Sequence, residues 1–333
     1  MRAMVLARPA DVAAAPLRLV ERAVPEPGRG DVRVRIEVCG VCRTDLHVVE
    51  GELAPRRDEL VPGHQVIGRV DALGPDATGL AHGDRVGVAW LHRTCGACRF
   101  CAEGRENLCR SPRFTGWDVD GGFAEHVVAP AAFVYPLAAD APARALAPLL
   151  CAGIIGYRAF VRSGAQRGAR LGLYGFGGSA HIVIQIARHQ GCEVHVFTRE
   201  VAHRTLASEL GAAFVGDTHD RPPEKLDAAI LFAPAGEIVP VALGALERGG
   251  TLAVAGIHLS AVPPLDYQQH LFQERCLCSV TANTREDGRA LLRLAREIPI
   301  VTRTTPYALA DANRALRDLK QGRVNGTAVL EIG

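Results

Sequence analysis

Apolar and polar side chains alternate along much of the first ninety residues. The alternation is clearest at 3–6, 17–22 and 32–38, and it returns at 66–73 and 84–89, with turn-forming prolines and glycines between these runs. Successive side chains of a strand point to opposite faces, so a period of two indicates strands with one buried face. The first part of the chain is therefore predicted to form an antiparallel barrel or sandwich.

The pattern changes near residue 169, where short apolar runs begin to alternate with segments of helical period. This order of elements is typical of a doubly wound parallel α/β sheet, and it predicts a Rossmann domain. Farther along, 286–296 and 311–320 read as amphipathic helices and 328–332 as a closing strand that returns to the first domain. The predicted strands of the parallel sheet lie at 170–175, 193–197, 228–232 and 252–255, and the predicted helices at 182–190, 201–210 and 239–247.

A glycine-rich turn follows the first of these parallel strands. It has the form G-x-G-x-x-A between a strand and a helix, the setting that dinucleotide binding requires. Its glycines allow a tight turn and a close approach of the backbone to a pyrophosphate, whose charge lies at the helix N-terminus. The candidate cofactor-binding residues of this turn are Gly175, Gly177, Gly178 and Ala180.

The second parallel strand ends at Thr198 and Arg199. An NAD site usually offers Asp or Glu to the adenosine ribose here, whereas a hydroxyl followed by Arg suits a 2′-phosphate. Arg204 is a possible second contact. The residues therefore favour NADP over NAD, and the alternative is that Arg199 is a solvated side chain at a strand end.

Composition narrows the functional class. Hydrophobic residues make up 48% of the 333 positions and charged residues 22%, and the formal net charge is +2. No nucleic-acid surface or polybasic anchor is indicated. Neither a signal peptide nor an apolar run of about 18 residues is present, so no membrane span is expected. Ten cysteines without an export signal favour metal binding or catalysis over disulfides, and a cytoplasmic location is expected.

Four of these cysteines fall in one short loop with two C-x-x-C steps. Four thiolates can close a tetrahedral zinc site, which leaves no position for substrate and is therefore structural. Free thiols are the simplest alternative. An iron–sulfur cluster is another, but the bacterial spacing that ends in Cys-Pro is not met. The predicted ligands are Cys95, Cys98, Cys101 and Cys109.

A second group of metal-binding residue types lies between residues 39 and 65. Cys42 offers a thiolate and His64 an imidazole, and Asp45 is a candidate to fix the tautomer of a ligating histidine. A third ligand is missing from this stretch. Cys151 follows a strongly apolar helical run, and taken alone it reads as a small buried residue.

With these motifs in order, the whole chain resembles the zinc-dependent medium-chain alcohol dehydrogenases. The resemblance rests on Cys-Gly-Val-Cys-Arg-Thr-Asp-Leu-His, Gly-His-Gln, the four-cysteine loop, Leu-Cys-Ala-Gly and Gly-Phe-Gly-Gly-Ser-Ala. It implies a GroES-like catalytic domain at 1–151 and 287–333, a Rossmann domain at 152–286, and an active site in the cleft between them.

The resemblance also implies roles for the residues. Cys42, His64 and Cys151 would bind the catalytic zinc, a Cys₂His set known for alcohol dehydrogenases, with Cys39 outside it. Thr44 would be the relay hydroxyl, with the nicotinamide ribose and then His47 next on the path of the proton. The implied reaction interconverts an alcohol and its aldehyde or ketone with NAD(P), in a homodimer or homotetramer.

Two positions depart from the family pattern. Relatives often read Asn-Gly-Arg near the C-terminus, where this chain has Asn325-Gly326-Thr327, so a usual pyrophosphate-binding arginine is absent. The family usually has Gly-His-Glu, and this chain has Gln65 after His64, so a negative charge beside the catalytic metal is missing. The metal is expected to be more electropositive as a result. Two other functions remain open at this point: a zinc-free quinone or enoyl reductase on the same fold, and a non-catalytic NADP(H)-binding protein.

Overall fold

The computed structural model describes residues 1–333, which fall into two compact units. Unit 1 comprises Met1–Cys151, Ala282–Leu292 and Val301–Gly333, and unit 2 comprises Ala152–Thr281 and Arg293–Ile300. The first segment of unit 1 ends at Cys151, and the chain re-enters unit 1 at Ala282. The domain bounds given in the sequence analysis stay a prediction.

Unit 1 is built around a mostly antiparallel sheet, in agreement with its alternating pattern. Six strands follow one another in the order β16-β17-β3-β4-β5-β9, and β8 also pairs with β3. Only the pair of β16 and β17 is parallel. The strands of unit 1 are β1 (Arg2–Leu6), β2 (Leu17–Glu21), β3 (Asp31–Val41), β4 (Gln65–Leu73), β5 (Arg85–Val88), β6 (Leu91–Arg93), β7 (Arg113–Phe114), β8 (His126–Pro130), β9 (Val134–Pro136), β16 (Thr304–Ala308) and β17 (Thr327–Glu331).

Helices occupy little of unit 1, and most of them are short. One apolar core of valines, isoleucines and leucines lies beneath the strands, and alternate residues of β3 contribute Val32, Val34 and Ile36 to it. Ten α-helices occur in the chain, of which α9 runs across both units. Those with residues in unit 1 are α1 (Arg43–Glu50), α2 (Arg99–Ala102), α3 (Ala143–Leu146), α9 (Arg285–Glu297) and α10 (Ala312–Lys320).

Unit 2 contains the Rossmann sheet that the sequence predicts. Its six strands are all parallel and follow the order β12-β11-β10-β13-β14-β15. The chain therefore adds β11 and β12 on one side of β10 and then β13, β14 and β15 on the other. The elements of unit 2 are α4 (Ala152–Ser163), β10 (Arg170–Tyr174), α5 (Ala180–His189), β11 (Glu193–Phe197), α6 (Val201–Glu209), β12 (Phe214–Gly216), β13 (Leu226–Leu231), α7 (Ile238–Ala245), β14 (Leu246–Val254), α8 (Tyr267–His270) and β15 (Cys276–Ser279).

The central strands of unit 2 are buried on both faces, which explains their continuous apolar sequence. Leu171, Leu173 and Tyr174 of β10 are inaccessible to solvent, and so is Ile230 of β13. By contrast, β15 forms one edge of the sheet, and its Leu277 is 41% exposed.

No single helix of the chain is both long enough and apolar enough to cross a membrane. The consecutive segments Ala143–Leu150 and Ala152–Ser163 reach that length and apolar composition only when taken together, and they are bent by 46° relative to each other.

Candidate active site

Three donor side chains meet at one end of the central strands of unit 1. Cys42 lies between β3 and α1, and His64 lies just before β4. These strands pair antiparallel, with Gly40 opposite Gln65, so the residues that follow β3 and precede β4 are neighbours. Cys151 follows a short 3₁₀ helix whose residues are buried beneath the same sheet. The structure therefore brings together donors that lie far apart in the sequence.

The spacing of the three donors fits a single metal ion. Cys42 Sγ lies 3.4 Å from His64 Nε2 and 3.8 Å from Cys151 Sγ, and His64 Nε2 lies 3.3 Å from Cys151 Sγ. In a tetrahedral zinc site with ordinary bond lengths, two sulfurs are about 3.8 Å apart and sulfur and nitrogen about 3.6 Å apart. The donor set and its geometry therefore fit zinc, with one tetrahedral position left for substrate.

Asp45 contacts two of the three donor residues, Cys42 and His64. Its Oδ1 lies 3.1 Å from His64 Nδ1, and its Oδ2 accepts a hydrogen bond of 2.8 Å from the backbone N–H of Cys42. Both side chains of the Asp45–His64 pair are almost completely buried. Burial opposes a charge on His64, but Asp45 and Cys42 raise the pKa of His64 to about 10. The site thus favours a positive charge, which a proton or a divalent cation supplies.

Cys39 lies outside this group. It belongs to β3, it is fully buried, and its Sγ is 3.5 Å from the carbonyl oxygen of Gly40. Its side chain packs against Gly122, where a Cβ would come within 2.7 Å of Cys39 Sγ. Burial raises the pKa of the Cys39 thiol well above its usual range. Cys39 is therefore a core thiol.

An aromatic wall stands beside the metal-binding donors. The Trp90 ring meets the His64 ring edge-on, with centroids 5.1 Å apart, and stacks on Phe114 at 4.9 Å. Trp117 lies 6.0 Å from Trp90, and the Arg56 guanidinium covers Trp117 at 4.0 Å from the ring centroid. The row of aromatic rings therefore extends from the His64 ring to the Arg56 guanidinium.

The other predicted catalytic residues lie close to the donors in sequence. Thr44 is buried in the first turn of α1, and His47 lies in the last turn with its side chain 18% exposed. Gln65 is buried at the start of β4, its Oε1 lies where a side chain on Gly40 would be, and its Nε2 has no partner. His47 contacts Glu52, which sequence reasoning missed because Glu52 lies beyond the end of α1.

The four cysteines of the loop gather into a second donor group. Cys95 Sγ lies 3.9 Å from Cys101 Sγ and 3.5 Å from Cys109 Sγ, and Cys98 Sγ lies 3.6 Å from Cys101 Sγ. These separations are close to the roughly 3.8 Å expected for tetrahedral thiolates on zinc. Hydrogen bonds from backbone N–H groups lower the pKa of Cys98 to about 6. The group suits a closed structural site.

In unit 2, the glycine-rich turn joins β10 to α5. Gly175 has a φ of +85°, and a Cβ there would be 2.8 Å from the backbone nitrogen of Ala233, so only glycine fits without strain. A Cβ on Gly177 would meet no atom within 4 Å. Ala180 begins α5 and is buried. The turn thus leaves open space beside a helix N-terminus, as pyrophosphate binding requires.

The residues that follow β11 differ in whether their side chains are free to contact a cofactor. Thr198 is buried, and its backbone N–H donates to Gly216. Arg199 is exposed. Arg204 is already engaged, because its guanidinium donates to the carbonyl oxygen of Thr198 and to the Asp217 carboxylate. Arg199 is consequently the freer of the two guanidinium groups.

A closed four-cysteine set and an open Cys₂His set in one unit, with a parallel Rossmann sheet in the other, define the zinc-binding medium-chain dehydrogenases. Family models agree with this class: residues 28–139 match the alcohol dehydrogenase GroES-like domain, and residues 178–297 match the zinc-binding dehydrogenase domain.

Individual proteins narrow the class. A probable alcohol dehydrogenase of Mycobacterium tuberculosis is 53% identical over all of this chain and 97% of its own length. An alcohol dehydrogenase of Geobacillus stearothermophilus is 32% identical over 95% of this chain and 96% of its own length. The cobalt- and zinc-bound thermostable alcohol dehydrogenase of Pyrobaculum aerophilum has a similar structure, with a TM-score of 0.89, 26% identity and 99% of each chain covered. The chain belongs to the medium-chain alcohol dehydrogenase family, and its reaction is NAD(P)-dependent alcohol oxidoreduction.

Proposed function

We propose that this alcohol dehydrogenase depends on zinc, with one catalytic ion held by Cys42, His64 and Cys151 and one structural ion held by the four-cysteine loop. The observation that carries the proposal is the set of tetrahedral separations among the three donors. When bound, the catalytic zinc supplies a Lewis acid that makes an alcohol hydroxyl more acidic. Asp45 orients His64 and Cys42, and a partner of this kind typically strengthens metal binding 10- to 100-fold.

The proton released by the alcohol must leave a buried site. Thr44 and His47 are the groups of α1 that we assign to this task, with the Thr44 hydroxyl passing the proton outward and His47 delivering it to solvent. Their burial supports this order, because Thr44 is buried and His47 is partly exposed. Gln65 contributes no charge beside the ligands, and the aromatic wall of Trp90, Phe114 and Trp117 is assigned to the substrate side.

We propose NADP as the preferred cofactor, with Gly175, Gly177, Gly178 and Ala180 around the pyrophosphate. No acidic side chain directly follows β11 to bind an unmodified ribose, and Arg199 is exposed there. Arg204 acts indirectly, since its contacts with Thr198 and Asp217 hold the end of β11 in place. An NAD enzyme remains the alternative.

We also propose that the protein is a homodimer or a homotetramer. The edge strand β15 supports this assembly, because its backbone lacks a neighbouring strand on one side and Leu277 is 41% exposed. Tyr267 and Phe272, which precede β15, are also exposed. Multi-angle light scattering tests the assembly, and a monomer at micromolar concentration would contradict it.

A paired assay tests the catalytic proposal. Purified enzyme is given NAD or NADP with a series of primary and secondary alcohols, and the absorbance at 340 nm is followed before and after treatment with a chelator. We expect turnover with NADP that the chelator abolishes and zinc restores. Turnover that survives metal removal would instead support a zinc-free reductase. Cofactor binding without turnover on any alcohol would support a non-catalytic nucleotide-binding protein, and a strong preference for NAD would refute the assignment of Arg199.

A further inference from the structure

The end of helix α1 folds back over His47. Gly51 follows the helix with a φ of +82°, the left-handed conformation that commonly ends helices at glycine. The turn brings the backbone N–H of Leu53 to within 3.0 Å of the carbonyl oxygen of His47. Glu52 lies between these two residues and is held above the last turn of the helix. Its position is therefore set by the backbone as well as by its own side chain.

The Glu52 carboxylate contacts one nitrogen of the His47 ring. Glu52 Oε2 lies 2.5 Å from His47 Nδ1, and the side chain of Glu52 is 60% exposed. An ionised carboxylate can only accept hydrogen bonds, so the proton of this bond lies on Nδ1. In the neutral ring, the other nitrogen, Nε2, then carries the free lone pair. The contact thus selects the tautomer in which Nε2 is the proton acceptor.

We propose that Glu52 is a positioning residue, which fixes the ring and the tautomer of His47 for proton transfer out of the active site. The inference rests on the proposed function, in which His47 is the final protein group of the proton path. During oxidation, the substrate C–H bond gives a hydride to the nicotinamide. The hydroxyl proton moves through Thr44 to His47, where an Nε2–H bond forms, and it then passes to water. The Nδ1 proton stays on the ring, and Glu52 remains a carboxylate throughout.

The test is a double-mutant cycle between Glu52 and His47. Glu52→Gln should reduce kcat about tenfold, because an amide can donate to Nδ1 as well as accept from it and no longer selects one tautomer. The KM for the alcohol should change less than about twofold, and Glu52→Asp should restore part of kcat. In a His47→Gln background, Glu52→Gln should have no further effect, since the residue acts only through the ring.

Glu59→Gln is the matched control. Glu59 lies in the same segment between α1 and β4 as Glu52, its side chain is about as exposed, and it pairs with Arg22. We expect it to leave kcat unchanged. Zinc content and the thermal unfolding midpoint of every variant should equal those of the parent protein.

Several outcomes would overturn the role of Glu52. The first is an active parent enzyme whose kcat is unchanged by Glu52→Gln. The second is a loss of kcat on Glu52→Gln that is as large in the His47→Gln background as in the parent. The third is a His47→Gln variant with the kcat of the parent. A parent protein that oxidises no alcohol would refute the proposed function itself, and the two failures are therefore distinguishable.

Discussion

At the scale of single residues, Cys39 and Cys42 lie only three positions apart but have different environments. Cys42 points toward His64 and Cys151, whereas Cys39 is enclosed by Gly122 and the strands of the sheet. The difference arises because Cys39 lies inside β3 and Cys42 follows it. Their positions in the backbone therefore make one of two chemically identical thiols the proposed metal ligand and the other a core residue.

This division predicts different zinc contents for two alanine variants. Cys151→Ala should bind one zinc per chain instead of two and lose essentially all turnover, because the remaining Cys42 and His64 hold the ion far more weakly. Cys39→Ala should retain both ions and most of the activity, since only a buried thiol is removed. Zinc per chain is measured by atomic emission after gel filtration. Two ions in Cys151→Ala would refute the ligand assignment.

The sequence alone could indicate the donors but not choose among them. Cys39 and Cys42 have equal residue chemistry, and Cys151 reads as an apolar residue until a fold brings it near the others. Only the resemblance to a family selected Cys42 and Cys151. The contact between Glu52 and His47 had no sequence signal, because a spacing of five residues across a helix end matches no side-chain pairing rule for helices.

At the scale of elements, close approach of a helix to a ring explains one helical glycine. Gly288 lies within α9, and a Cβ at this position would be 2.5 Å from ring atoms of Tyr135, which is itself buried. Gly244 lies within α7, and a Cβ there would meet no atom within 4 Å. Both residues have ordinary helical geometry, so the two sites differ in the space around them.

Alanine substitutions at these glycines should have opposite effects on stability. Gly288→Ala should lower the free energy of unfolding by about 1–3 kcal/mol, because overpacking forces Tyr135 or the helix to move. Gly244→Ala should raise it by about 0.5–1 kcal/mol, the usual gain from replacing glycine inside a helix. Urea unfolding followed by circular dichroism measures both changes. Stabilisation by Gly288→Ala would contradict this prediction, because it would mean that the Tyr135 ring moves aside without a loss of stability.

Local periodicity predicted most elements of both units, since periods of two and 3.6 residues are written into neighbouring positions. It did not predict that β17 pairs with β3 or that β16 lies beside β17. The strands β3 and β17 lie far apart in the sequence, and β16 and β17 are separated by α10, so neither pairing leaves a trace in the local pattern.

At the scale of the whole molecule, stability should depend on an ion pair between the four-cysteine loop and the start of α9. The Arg285 guanidinium donates to both carboxylate oxygens of Glu106, with contacts of 2.9 and 2.6 Å, and the backbone N–H of Arg285 adds a bond of 2.7 Å. Burial raises the pKa of Glu106, but Arg285 lowers it by more, and the net direction is downward. The folded protein therefore favours the ionised carboxylate.

The direction of this shift determines its pH dependence. A carboxyl group whose folded pKa is depressed stabilises the protein above its unfolded pKa, near 4.5, and loses that contribution as the pH falls through the folded value. Glu106→Gln should lower the free energy of unfolding by about 1–2 kcal/mol at pH 7, allowing for solvent screening of the pair. The difference from the parent should shrink below about pH 4.5.

Urea titrations of parent and Glu106→Gln at pH 7 and pH 3.5 measure this difference. Both proteins carry the same cysteines, so loss of metal in acid affects them equally. A difference that is constant with pH would mean that packing, and not charge, accounts for the contribution of Glu106.

The pairing of β17 with β3 has a consequence for biosynthesis. Residues 328–331 of β17 pair with the segment Val38–Val41 that leads into Cys42, yet the six cysteines assigned to metal are all translated long before this strand. The thiols of a nascent chain are thus accessible in the cell while the segment Val38–Val41 still lacks its partner strand β17. Incorporation of the catalytic ion should therefore follow the synthesis of β17, and chains that stall before this strand should be prone to oxidation at those thiols.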